Sequence, residues 1–90
     1  MVTRVAMISI VVENSESVKE LNRILHEYGS YIVGRMGIPY PKRGISLISV
    51  VMDAPADAIS AMTGKIGMLR GVTSKALYAK LKEVPDAPSD

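Results

Sequence analysis

Arg35 stands beside Gly34 and, one residue past Met36, is followed by Gly37. Missing side chains on both flanks let a ligand or a second backbone come close, and a guanidinium grips a carboxylate or phosphate with two parallel donors. The same charge has a plainer use, since a cation on an edge strand hinders edge-to-edge pairing between sheets. The sequence leaves both uses open. His26 is the only histidine and so the obvious candidate for a base or metal ligand. It sits beside Leu25, off the apolar stripe of its helix and next to Glu27, which reads as a solvated flank position.

Other chemistries require residues this chain lacks. Without cysteine there is no disulfide, thiolate metal site or iron–sulfur cluster. RNA readers of the RRM type stack bases on aromatic side chains of their central strands, and ISLISVVM, Ile45 to Met52, offers none. A phosphate loop of the acylphosphatase type needs an arginine after the first strand, where this chain has the acidic turn Glu13-Asn14-Ser15-Glu16. No nucleophile has an evident base, no pair of acids is isolated in an apolar setting, and no glycine-rich turn leads from a strand into a helix. These observations argue against an enzyme, and no catalytic residue, metal or cofactor is assigned. Ser17 and Glu20 have the spacing of a capping box but lie one turn inside the expected helix, so they read as solvated polar residues.

The elements that must position these side chains come as a repeat. RVAMISIVV, Arg4 to Val12, and ISLISVVM are short β-branched runs of the kind that form buried strands. Each leads into a helix. The first opens at Asn14 or Ser15, places Val18, Leu21, Leu25 and Tyr28 on one face and stops at Gly29. The second opens at Asp53-Ala54-Pro55 and carries Ile59, Met62 and Ile66 up to Gly67. An offset of 41 residues superposes Ile10 on Val51, Val18 on Ile59, Leu21 on Met62 and Leu25 on Ile66. Extended segments follow each helix, Tyr31 to Ile38 and Val72 to Leu81, which gives the order βαββαβ. This is the α+β ferredoxin-like sandwich: a four-stranded antiparallel sheet with two helices on one face, strands one and three central. Residues Gly34 to Gly44 then form an edge strand and a turn, with Pro39 tolerated at the edge and Pro41-Lys42-Arg43-Gly44 supplying turn residues.

Two helices cover only one face of that sheet, yet both faces of the central strands are apolar. On the first strand Ala6, Ile8, Ile10 and Val12 oppose Val5, Met7 and Val11; on the third, Ile45, Leu47 and Val51 oppose Ile48, Val50 and Met52. A second apolar face calls for a cover, and a homodimer or higher homo-oligomer supplies one.

Ninety residues make one domain, residues 1–82, followed by the acidic, proline-rich tail Glu83 to Asp90, which is expected to be disordered. The net charge of +2 arises from scattered cations, with Lys42-Arg43 the only basic pair, so no direct contact with nucleic acid is expected. No apolar run has the length of a membrane span and Met1 to Val12 lacks a cleavage pattern; a cytoplasmic protein without membrane contact is expected.

Three segments, RVAMISIVVE, LNRILHEYGSYIVGRMGIPY and DAPADAISAMTGKIGMLRGVTSKALYAK, together resemble the iron-only hydrogenase system regulators, small stand-alone ACT-like proteins. The likeness covers about Arg4 to Lys80 and is most specific at HEYGSYIVGRMGIPY, His26 to Tyr40. It implies kinship with ACT domains and with the ligand-binding part of nickel-responsive repressors, which self-associate through the sheet and bind a small effector, often between subunits. The turn after the first strand lacks the glycine that amino-acid-binding relatives use, and the histidines and cysteine of the nickel repressors are missing. The expected function is a ligand-responsive regulatory oligomer with Asn14, Ser15, Gly34, Arg35 and Gly37 as candidate effector-binding residues. The alternative is a non-catalytic adaptor oligomer that binds a hydrogenase maturation or regulatory protein.

Overall fold

A computed structural model describes residues 2–81; the tail expected to be disordered, Glu83 to Asp90, lies outside the described residues. Strand β1 (Arg4–Val12) leads through a single 3-10 turn to helix α1 (Val18–Glu27), then come strands β2 (Ile32–Tyr40) and β3 (Ile45–Ala54), helix α2 (Ala56–Gly67) and strand β4 (Val72–Tyr78). The sheet order is β2-β3-β1-β4 and each neighbouring pair is antiparallel. The expected βαββαβ arrangement is present, with β1 and β3 in the middle.

Alternation along each strand divides the sheet into two faces. Ala6, Ile8, Ile10 and Val12 of β1 and Val50, Met52 and Ala54 of β3 are buried against Leu21, Ile24 and Leu25 of α1 and Ile59, Met62 and Ile66 of α2. The expected stripe on α1 is displaced: Ile24 is buried and Val18 is 36% exposed. The cause is the entry into the helix. Residues 15–17 form the 3-10 turn first, so Val18 opens the α-helix and sits at its solvent-facing end.

The repeat also shifts by one residue between its parts. Leu21 and Met62, like Leu25 and Ile66, match as expected, but Ile10 is buried on the helix side while Val51 points to the opposite face. An odd offset exchanges the faces of a strand. The strand equivalent of Ile10 is therefore Met52, and the second strand-to-helix link is one residue shorter than the first.

Local polar groups fix the first link. The Glu16 N–H donates to Asn14 Oδ1 at 2.9 Å, capping the 3-10 turn. Ser17 is buried, contrary to the solvated reading, because its hydroxyl donates to the Arg70 carbonyl at 2.7 Å across the fold. Glu20 makes no capping box; it accepts from Arg23 at 2.6 to 2.9 Å. Gly71, at φ +69°, completes the junction: its carbonyl accepts from Glu13 N–H at 2.7 Å, and a Cβ there would lie 2.7 Å from the Asn14 Cβ. At the hairpin, Gly44 takes the left-handed conformation that ends the 41–43 turn.

Candidate functional site

The side of the sheet away from the helices is open and apolar. Register places three cross-strand rows on it: Gly34, Val51, Met7 and Leu77; then Met36, Ser49, Ser9 and Lys75; then Ile38, Leu47, Val11 and Thr73. Met7, Met36, Ile38 and Leu47 are 39 to 60% exposed, and Leu77 is 70% exposed. Side chains of this size seldom stand together in water on a monomer. Two grooves cross the face. One, of about 240 Å³, runs between Met36, Ile38, Leu47 and Val11 over the paired serines Ser9 and Ser49; the other, of about 360 Å³, lies between Val5, Met7, Val51 and Leu77, with Lys80 at its rim.

Sequence reasoning found the β1 and β3 part of this face and missed the part on the edge strands. Met36 and Ile38 could have been found by alternation from the charged and proline positions Arg35 and Pro39. Leu77 is hidden in the mixed segment TSKALY.

The five candidate effector-binding residues occupy three different places. Ser15 lines a pocket of about 280 Å³ at one end of the sheet, with Val12, Val18, Pro39, Pro41 and Ile45 as apolar walls. Asn14 is at the same turn, with its side chain engaged in the cap and packed against Gly71. Arg35 pairs with Val50, whereas Val12 at the other site pairs with Ser46, a separation of roughly 13 Å along β3. Its guanidinium lies on the helix side and donates to Asn22 Oδ1 at 3.2 Å. Gly37 also faces the helix side, where a Cβ would touch Ile48, and Gly34 faces the open side. The structure thus brings Asn14 and Ser15 together and divides Gly34 from Arg35 and Gly37 by the thickness of the sheet.

The ion pairs among the described residues lie on the helices, away from the open face. Hydrogen bonds from Arg23 hold the Glu20 carboxyl below its ordinary value and raise the Arg23 guanidinium. The Glu27 carboxylate, 2.7 Å from Lys65 Nζ, raises the Lys65 ammonium and ties α2 to α1. All are solvent-exposed pairs of small energetic weight. His26 is exposed, and among the described residues no three His, Asp or Glu side chains stand together as a metal site. No helix among the described residues is long and apolar enough to cross a membrane.

A ferredoxin-like βαββαβ sandwich with one helix-covered face and one bare apolar face is an ACT-like domain. The family model TM1266-like, "Iron-only hydrogenase system regulator, putative", matches residues 4–76, and the chain belongs to this family. The uncharacterized protein TM1266 from Thermotoga maritima superposes with a TM-score of 0.84 at 29% identity, covering 87% of this chain and 99% of that one. Two more distant structures show the same fold alone. A formyltetrahydrofolate deformylase from Pseudomonas putida KT2440 matches at TM-score 0.61 and 13% identity, over 84% of this chain and 29% of its own. An unknown protein from Galdieria sulphuraria matches at 0.60 and 15%, over 93% of this chain and 49% of its own. No curated protein matches the chain.

Proposed function

We propose that the protein is a small regulatory homo-oligomer of an iron-only hydrogenase system, with subunits that meet across the open sheet face and respond to a small effector held between them. The observation that carries this reading is the unpartnered apolar face. Covering Met7, Met36, Ile38, Leu47 and Leu77 contributes on the order of 1 kcal/mol for each half-exposed side chain, before the entropy of association is subtracted. The family supplies the regulatory context.

The effector reading is supported by the pocket beside Ser15, whose volume approaches the lower end of about 300 to 1,000 Å³ common for small-molecule sites. Its apolar walls and hydroxyl suit a small, mostly apolar molecule with one polar group. Such a ligand changes assembly only as far as its affinity differs between the assembled and separate states. Gly34, Arg35 and Gly37 join Asn14 and Ser15 only if a second subunit brings their places together.

Native mass spectrometry of the protein as purified tests both parts. A dimer or larger species with a reproducible extra mass is the expected result. A bare oligomer removes the effector, and its retention of a hydrogenase maturation or regulatory protein would favour the adaptor; a clean monomer up to about 100 μM removes self-association.

A further inference from the structure

Resting on the reading that two copies meet across the open face, we infer how they meet: the two-fold axis runs parallel to the strands, so that Leu77 of each copy seats in the hollow above Gly34 of the other. The first cross-strand row explains why. It runs Gly34, Val51, Met7, Leu77, with no side chain at one edge and, at the other, the most exposed large apolar side chain of the three rows. Nothing lies within 4 Å of where a Gly34 Cβ would stand, so the hollow is open. A two-fold axis parallel to the strands turns each row end for end and lays it over its own copy. The knob at one edge then meets the hollow at the other, twice per dimer.

The other rows agree. In the second, the same axis sets Lys75 over the partner's Met36, where its methylene stem covers an apolar side chain and its ammonium reaches water at the edge. In the third, Ile38 lies over the partner's Thr73 and Leu47 over the partner's Val11. An axis across the strands maps the second row onto itself without reversal. Lys75 would then face Lys75, a like-charge contact, and Leu77 would face Thr73. Three complete rows, with the partial rows of Val5 with Asp53 and of Ile45 with Tyr40 beyond them, at about 4.8 Å between strands and about 6.6 Å between rows, present roughly 500 Å² on each copy. The resulting total of roughly 1,000 Å² is at the threshold for a specific interface.

The test exchanges knob and hollow. Gly34→Leu fills the hollow; it leaves the monomer intact because the new Cβ meets open space and Gly34 is not among the glycines with positive φ. Leu77→Ala removes the knob without placing a glycine in β4. Sedimentation equilibrium of wild type, both single variants and the double variant, each confirmed folded by circular dichroism, reads the association constant. Each single variant is expected to weaken dimerisation about 100-fold, from two altered contacts of about tenfold each, and the double variant to return within about tenfold of wild type. A wild-type dimer unaffected by Gly34→Leu, or a double variant no better than Gly34→Leu alone, overturns this geometry while leaving self-association standing. A wild type that stays monomeric at about 100 μM overturns both.

Discussion

Replacing Gly71 with alanine probes the junction that holds the Ser15 turn in place. Two costs act at this position. A non-glycine residue at φ +69° costs roughly 1 to 2 kcal/mol. The new methyl would also stand 2.7 Å from the Asn14 Cβ and 3.1 Å from the Asn14 backbone nitrogen, and relieving that contact pulls on the 2.7 Å hydrogen bond from Glu13 N–H to the Gly71 carbonyl. Overpacking against backbone costs about 1 to 3 kcal/mol, for a total of roughly 2 to 5 kcal/mol. The structure supplies its own control. Gly44 has nearly the same φ, +66°, and nothing within 4 Å of its Cβ position, so Gly44→Ala carries only the first cost. Urea denaturation at one fixed protein concentration gives both values, and an unchanged m-value keeps the comparison two-state. Equal losses in the two variants would refute the close approach of Gly71 to Asn14.

Leu21→Ala, a fully buried truncation under the sheet, is expected to cost about 2 to 5 kcal/mol in the same denaturation experiment. Ser17→Ala leaves the Arg70 carbonyl without its donor and is expected to lower stability by about 1 to 2 kcal/mol, with faster amide exchange at the Ser15 turn as the local sign. Leu47→Asp puts a charge in the open face and is expected to abolish oligomers in size-exclusion chromatography with light scattering, while circular dichroism stays unchanged. For Glu20 the Arg23 hydrogen bonds lower the folded-state pKa, so the stability this pair adds is present above the pKa of the unfolded chain and is lost as pH falls through the lower folded value. Carboxyl-carbon NMR should show Glu20 titrating below glutamate in an unstructured peptide, and Arg23→Gln should bring it back.

What was legible in the sequence follows from which forces are local. The strands and helices were readable because period and β-branching belong to single segments, and their order named the sheet. The apolar second face of β1 and β3 was readable for the same reason. The entry of α1 was legible in part: Asn14 caps the turn that opens it, as expected, but the burial of Ser17 rests on Arg70, whose carbonyl accepts from the Ser17 hydroxyl 53 residues away. Alternation groups Met36 with Ile38 in IVGRMGIPY, but which face that pair takes depends on a shift in register between Ile32 and Gly34, where Val33 is extra, and nothing in the segment announces that position. Arg35 was correctly set on an edge strand, but which side of the sheet it takes follows from that same shift, and its partner Asn22 lies on another element.

The antiparallel ladder between β1 and β4 continues past the last strand residue, with Ala79 N–H donating to the Val5 carbonyl at 2.9 Å. The start of the first strand and the exit of the last therefore lie side by side, in the same relation that the 41–43 turn gives to β2 and β3. In connectivity the domain is a ring of two equivalent βαβ halves, closed by a covalent hairpin at one join and only by hydrogen bonds at the other. Linking residue 81 to residue 3 and opening the chain between Lys42 and Arg43 would change which join is covalent and leave the order βαββαβ as it was.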